Sequence, residues 1–193
     1  AGAVLLPAIS SIVAPHPVAA QSPAAPVATA TPAPTATPTS IPRIELYSGA
    51  TTSGNIGDRA AADALCDNSS PGPTGHRHAL ISYPGGDAIA DMPANYDVPT
   101  TLPITNAAGD VIANNWADFL DGNILMDLQT AGVLTLDLMT WWSGSNPDGT
   151  VNANVCDEGA GPWTSDTTTA TGMAGSPHYT DANWISNTDD NPA

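Results

Sequence analysis

The chain has 193 residues, with three Lys or Arg against nineteen Asp or Glu and a formal net charge of -16. Nucleic acid, anionic lipid and sulfated polysaccharide are excluded as partners, because each is held through a basic patch that this sequence lacks. The three bases are Arg43, Arg59 and Arg77, so Schiff-base chemistry at a lysine is excluded as well.

The length suits one domain with an appendage, and the appendage comes first. Residues 1–42 contain no Asp, Glu, Lys or Arg, so the whole net charge sits in 43–193. Ala1–Val13 (A-G-A-V-L-L-P-A-I-S-S-I-V) is apolar and too short for a bilayer span of roughly 20 residues. Two readings stay open. It is the remnant of a secretory signal, with Val18-Ala19-Ala20 as a small-residue cleavage site. Or it is a mature strand that adds itself to a neighbour's sheet edge. Residues 21–42 are rich in Pro, Ala and Thr, which predicts an extended polyproline II spacer. Thr29, Thr31, Thr35, Thr37 and Thr39 are the O-glycosylation candidates of such a stalk, and an undecorated spacer is the alternative. Either way the expected location is extracellular or at the cell surface.

Arg43–Tyr47 alternates as a strand. Asp58–Leu65 predicts a short helix with Asp58 as N-cap and Ala61, Ala64 and Leu65 on its buried face. Cys66 and the Pro/Gly run after it end that helix. Ala79–Ser82 predicts a strand, and Pro84–Pro103 shows little periodicity. Asn114–Leu120 predicts a second capped helix with Trp116, Phe119 and Leu120 facing the core. From Trp141 to Ser165, a Trp pair, an S-N-P-D-G turn, Cys156 and a third Trp predict strand ends meeting a long surface loop.

These segments, in order, resemble a known family. G-N-I-G-D-R-A-A-A-D-A-L-C (54–66), H-A-L-I-S (78–82), N-W-A-D-F-L-D-G (115–122), W-S-G-S-N-P-D-G (142–149), Cys156, W-T-S (163–165) and A-T-G (170–172) look like endostatin, the C-terminal module of certain collagens, and its bacterial relatives. The resemblance covers most of 44–193. It implies an α+β, C-type-lectin-like fold with two short helices, small antiparallel sheets and long loops. It also implies two nested disulfides, with Cys66 and Cys156 each as the first member and both partners beyond Ala193. A Cys66–Cys156 bridge is the alternative; closing about 90 residues, it would stabilise by roughly 4–5 kcal/mol. Two free thiols are the third reading.

Chemistry is sparse. Asn146 and Asp148 look like half of a calcium loop and Asp189-Asp190 offers a second cluster, so calcium is the one cofactor considered. A turn-forming role suffices for Asn146-Pro147-Asp148. His76 and His78 lack the further ligands of a zinc site. No G-x-S-x-G elbow, P-loop or paired-carboxylate pattern is present, so no enzyme is expected. Trp141, Trp142 and Trp163 are candidate ligand or glycan contacts, because alternation along a strand would point one of the adjacent pair outward. The leading expectation is a structural or adhesive surface subunit that self-associates through residues 1–42. The alternative is a stalked lectin-like module for carbohydrate or protein; a secreted enzyme ranks below both.

Overall fold

A computed structural model describes residues 42–49, 51–69, 73, 77–134 and 140–192, with side chains as far as 187. The tail of 1–41 with its five candidate threonines, His76, and the side chains of Asp189 and Asp190 lie outside the described residues.

The described chain is mixed α+β, with short helices and two small sheets. Helix α1 (Arg59–Asp67) starts where Asp58 Oδ1 accepts the amide of Ala61 at 2.9 Å, relieving one orphan donor of the first turn. Its inward stripe differs from expectation: Ala62 is buried and Ala64 is exposed. The reason lies in the polar residues one turn apart. Arg59 and Asp63 reach inward to the backbone of 79–81, which turns Ala62 and Cys66 in with them.

That contact also corrects the strand expected at Ala79–Ser82. The segment joins no sheet, and the Ile81 amide turns back to Ala79 O at 3.0 Å. Arg59 donates to the carbonyls of Ala79 at 2.8 Å and Ile81 at 2.6 Å, and Asp63 accepts from the Ala79 amide at 2.8 Å. Ser82 donates to Ser143 O, and its own carbonyl accepts from the Trp163 indole at 2.9 Å. Side chains thus satisfy the backbone groups that a ladder would otherwise pair. Arg59 is held in turn by Asp87 at 2.9 Å and by the rings of Tyr83 and Tyr96.

The aperiodic stretch 84–103 contains a 3-10 turn (Ile89–Asp91) and helix α2 (Met92–Tyr96). Pro93 is tolerated because it falls in the first turn, where its missing donor would be unsatisfied anyway. Helix α3 (Trp116–Phe119) is capped by Asn115, whose Oδ1 accepts from Ala117 and Asp118.

In the first sheet β1 (Ile44–Glu45) runs parallel to β2 (Ile104–Thr105), which pairs antiparallel with β3 (Val111–Ala113). The parallel pair departs from the all-antiparallel expectation; its long connection carries α1 and α2, as a parallel crossover requires. The second sheet is antiparallel, in the order β4 (Trp141–Trp142), β5 (Thr171–Gly175), β6 (Thr188–Pro192).

Two apolar clusters fill the interior. The first gathers Ile104, Ile112, Phe119, Trp184 and Ile185 with Trp116. The second gathers Ala62, Ile81, Val155, Cys156 and Trp163. Strand β4 serves both: Trp141 packs on the first cluster and Trp142 on the second. Alternation sends the two indoles to opposite faces, as expected, but each face is a core. No helix among the described residues is long and apolar enough to cross a membrane.

Candidate functional site

Each sheet has one edge strand at a shared cleft. β1 bonds only β2, and β4 bonds only β5, so among the described residues both lack a second strand partner. Between them lies an apolar cleft of about 550 Å³, walled by Leu46 and Tyr47, by Leu65 and Cys66 of α1, by Leu80, by Leu134, and by Trp141 and Trp142.

The sequence positions these walls by local rules. Gly175 faces Trp141 across the β4–β5 register, where a Cβ would lie 2.2 Å from Trp184 O and 2.5 Å from the indole nitrogen. At Gly172 a Cβ would lie 2.6 Å from Cys156 Sγ and 2.8 Å from the Trp142 ring. Both glycines therefore make room for an indole. Trp141 then donates to Trp184 O at 2.9 Å and stacks on that ring at 5.8 Å. Trp142 donates to Thr52 O at 3.3 Å and meets Trp163 edge-on at 5.7 Å.

The polar groups at the cleft are spent on the fold. Tyr47 donates to Cys66 O at 3.2 Å. Arg77 closes the end of α1 by donating to the carbonyls of Cys66 and Asp67, a cation at the negative end of the helix, and lies over the Tyr47 ring. His78 Nδ1 meets Asp63 at 2.9 Å and its ring packs on Tyr96. Burial, with the nearby Cys66 second, pushes the Tyr47 phenol up to about 12. Burial likewise raises the Cys66 thiol. Both stay neutral at physiological pH, and Glu45 is paired with Arg43 at 2.9 Å. The cleft is thus a largely apolar surface beside two strand edges, its one carboxylate, Glu45, paired with Arg43. It suits an apolar chain better than a charged or richly hydroxylated ligand.

The other expected sites resolve differently. Trp163 is fully buried and offers no face to a ligand. Its amide donates to Val155 O at 2.6 Å and its carbonyl accepts from Ile56 and Gly57, which holds it at φ 58° deep in the second cluster. Trp141 and Trp142 are half-buried and remain at the cleft. Asn146 and Asp148 are taken up by their own turn. Asp148 Oδ1 accepts from the hydroxyl of Thr150 at 2.6 Å and its amide at 3.0 Å, and Asn146 Oδ1 accepts from Asn152 at 2.9 Å. The Thr150 hydroxyl, then its amide, holds the Asp148 carboxyl below the usual range. Among the described residues no three His, Cys, Asp or Glu side chains converge as a metal site. Cys66 and Cys156 are both free thiols, so the alternative bridge between them is not formed.

Leu46, Leu65, Leu80 and Leu134 escaped notice as site residues. The available signal was the Leu46-Tyr47 pair closing an alternating strand; nothing local connects it with 134 or 141. No protein-family model matches the chain, and neither does any curated protein.

Proposed function

We propose that the chain is a non-catalytic structural or adhesive subunit outside the cell. In this reading a C-type-lectin-like, endostatin-like domain joins neighbouring copies through residues 1–42. The observation that carries it is the largely apolar cleft between two strand edges that lack a second partner among the described residues, on a chain that also carries an apolar run. Supporting the lectin-like assignment are the two small sheets, the short capped helices and the tight Asn146–Thr150 turn. The Thr/Pro-rich spacer supports an exported protein with a sugar-decorated or bare stalk. The acidic domain supports contact through the uncharged tail, because copies at -16 repel one another.

Light scattering on the full chain and on residues 43–193 tests the reading. The full chain is expected to self-associate and the shortened one to be a folded monomer by circular dichroism. Equal masses refute it.

A second reading is a stalked module that binds carbohydrate or protein, favoured by the half-buried Trp141 and Trp142 at the cleft. Saturable change in Trp emission on glycan titration, with or without calcium, would move the assignment there.

A further inference from the structure

We propose that the cleft between β1 and β4 is the acceptor for the apolar segment Val4–Val13 of a second copy, which enters as a strand between the two edges. The inference rests on the assembly reading and names its contact.

Geometry supplies the acceptor. Ile44 and Leu46 donate their amides to Pro103 O and Thr105 O, toward β2. Backbone groups of a strand alternate between its edges, so the Glu45 and Tyr47 amides are directed away from β2, at the edge that borders the cleft. Across the cleft β4 has no second strand partner among the described residues, and Trp142 borders the cleft there. Unpaired edges beside apolar walls are a template for one more strand. One inserted strand would pair with β1 and lie against Trp141 and Trp142 of β4.

Sequence supplies the occupant. Val4–Val13 carries no charge, and after Pro7 it reads A-I-S-S-I-V, free of Gly and Pro and rich in strand formers. Pro7 itself cannot donate to a ladder, so the paired run is Ala8–Val13. The cleft offers such a segment apolar side chains and neutral Tyr47 and Cys66, with no unpaired charge among its described walls. The spacer allows a second copy to be reached. At roughly 3.1 Å per residue, residues 14–41 can extend on the order of 80 Å, while a domain of this size is about 40 Å across. Two strongly acidic domains can then be linked without touching.

Full-length variants test it by sedimentation and hydrogen exchange. The donor variant is Ile9→Asp with Ile12→Asp; the acceptor variants are Leu80→Asp and, separately, Leu134→Asp. The wild type is expected at twice 19.5 kDa or more, and each variant alone as a monomer. A 1:1 mixture of donor and acceptor variants is expected to stop at a dimer, because one intact segment meets one intact cleft. The Glu45 and Tyr47 amides should exchange at least about tenfold more slowly in the wild type than in the donor variant. If both acceptor variants assemble like the wild type while the donor variant does not, the cleft is the wrong acceptor and the tail reading survives. If donor variant and wild type have the same assembled mass, both readings fall. A monomeric wild type with protected amides places the segment in its own cleft and overturns the second-copy proposal. Should the acceptor variants lose their near-UV dichroism, the amide comparison decides alone, and equal exchange rates refute the proposal.

Discussion

The two apolar clusters are built by different means. In the first, rings follow one another as a chain, Trp116 to Phe119 at 5.6 Å, Phe119 to Trp184 at 4.5 Å and Trp184 to Trp141 at 5.8 Å. Ile104 of β2 and Ile112 and Ala113 of β3 add aliphatic side chains, with Ile124 and Leu128 from the turns that follow α3. The second is closed by irregular backbone. Cys156 and Trp163 sit at φ 48° and 58°, a region bulky residues avoid, and are kept there by hydrogen bonds with Ile56, Gly57, Ser82, Val155 and Thr171. Regular elements bury side chains by periodicity. Loops bury them only when backbone groups find partners one at a time, so the second cluster should depend more heavily on each polar contact.

The largest effects should come from the central rings. Trp184→Ala and Trp163→Ala are each expected to cost about 3–5 kcal/mol by chemical denaturation. Their exchange patterns should differ: Trp184→Ala lowers protection throughout, whereas Trp163→Ala opens 155–165 first. Identical patterns would erase the distinction between the clusters. Arg59→Met follows, at on the order of 3 kcal/mol, because it removes the cation paired with Asp87 and leaves the Ile81 carbonyl without its donor. Arg59→Lys should rescue little, since one ammonium cannot span that fork. Gly172→Ala and Gly175→Ala should each cost about 1–3 kcal/mol through overcrowding, visible as altered near-UV dichroism of Trp142 and Trp141.

The smallest effect is the share of Cys156 in an alkaline response to which Cys66 and Tyr47 also contribute. Burial lifts the Cys156 thiol from 9.0 to about 11. The unfolded chain then loses this proton before the folded one does. Its contribution to stability is complete below pH 9 and is lost as pH rises toward 11. Cys156→Ala should flatten that alkaline limb of a thermal-melt series. At neutral pH a maleimide should label half-buried Cys66 well before Cys156.

What the sequence disclosed was local. Caps at Asp58 and Asn115 and the spacing of Trp116 and Phe119 are readable because cap and helix face lie within a few residues. Ala79–Ser82 has strand composition, yet its bonding partners, Arg59, Asp63 and Ser143, lie elsewhere in the chain. Helix α2 was hidden by Pro93, which breaks a helix anywhere but in its first turn. The alternation of Trp141 and Trp142 was legible; that both faces would be interior was not, because the second interior is assembled from loops. The cleft was least legible, since β1, α1 and β4 meet there from 44, 65 and 141.

The glycines of β5 carry a consequence for how this chain can change over generations. Trp141 with Gly175, and Trp142 with Gly172, divide a fixed space between a very large residue and an absent side chain. A methyl gained at either glycine also meets a third group, Trp184 O at 2.2 Å from position 175 or Cys156 Sγ at 2.6 Å from position 172, so a smaller ring alone does not make room for it. A paired exchange such as Gly172→Ala with Trp142→Leu should therefore recover only part of the loss, and a double-mutant cycle should find a coupling that Cys156 limits.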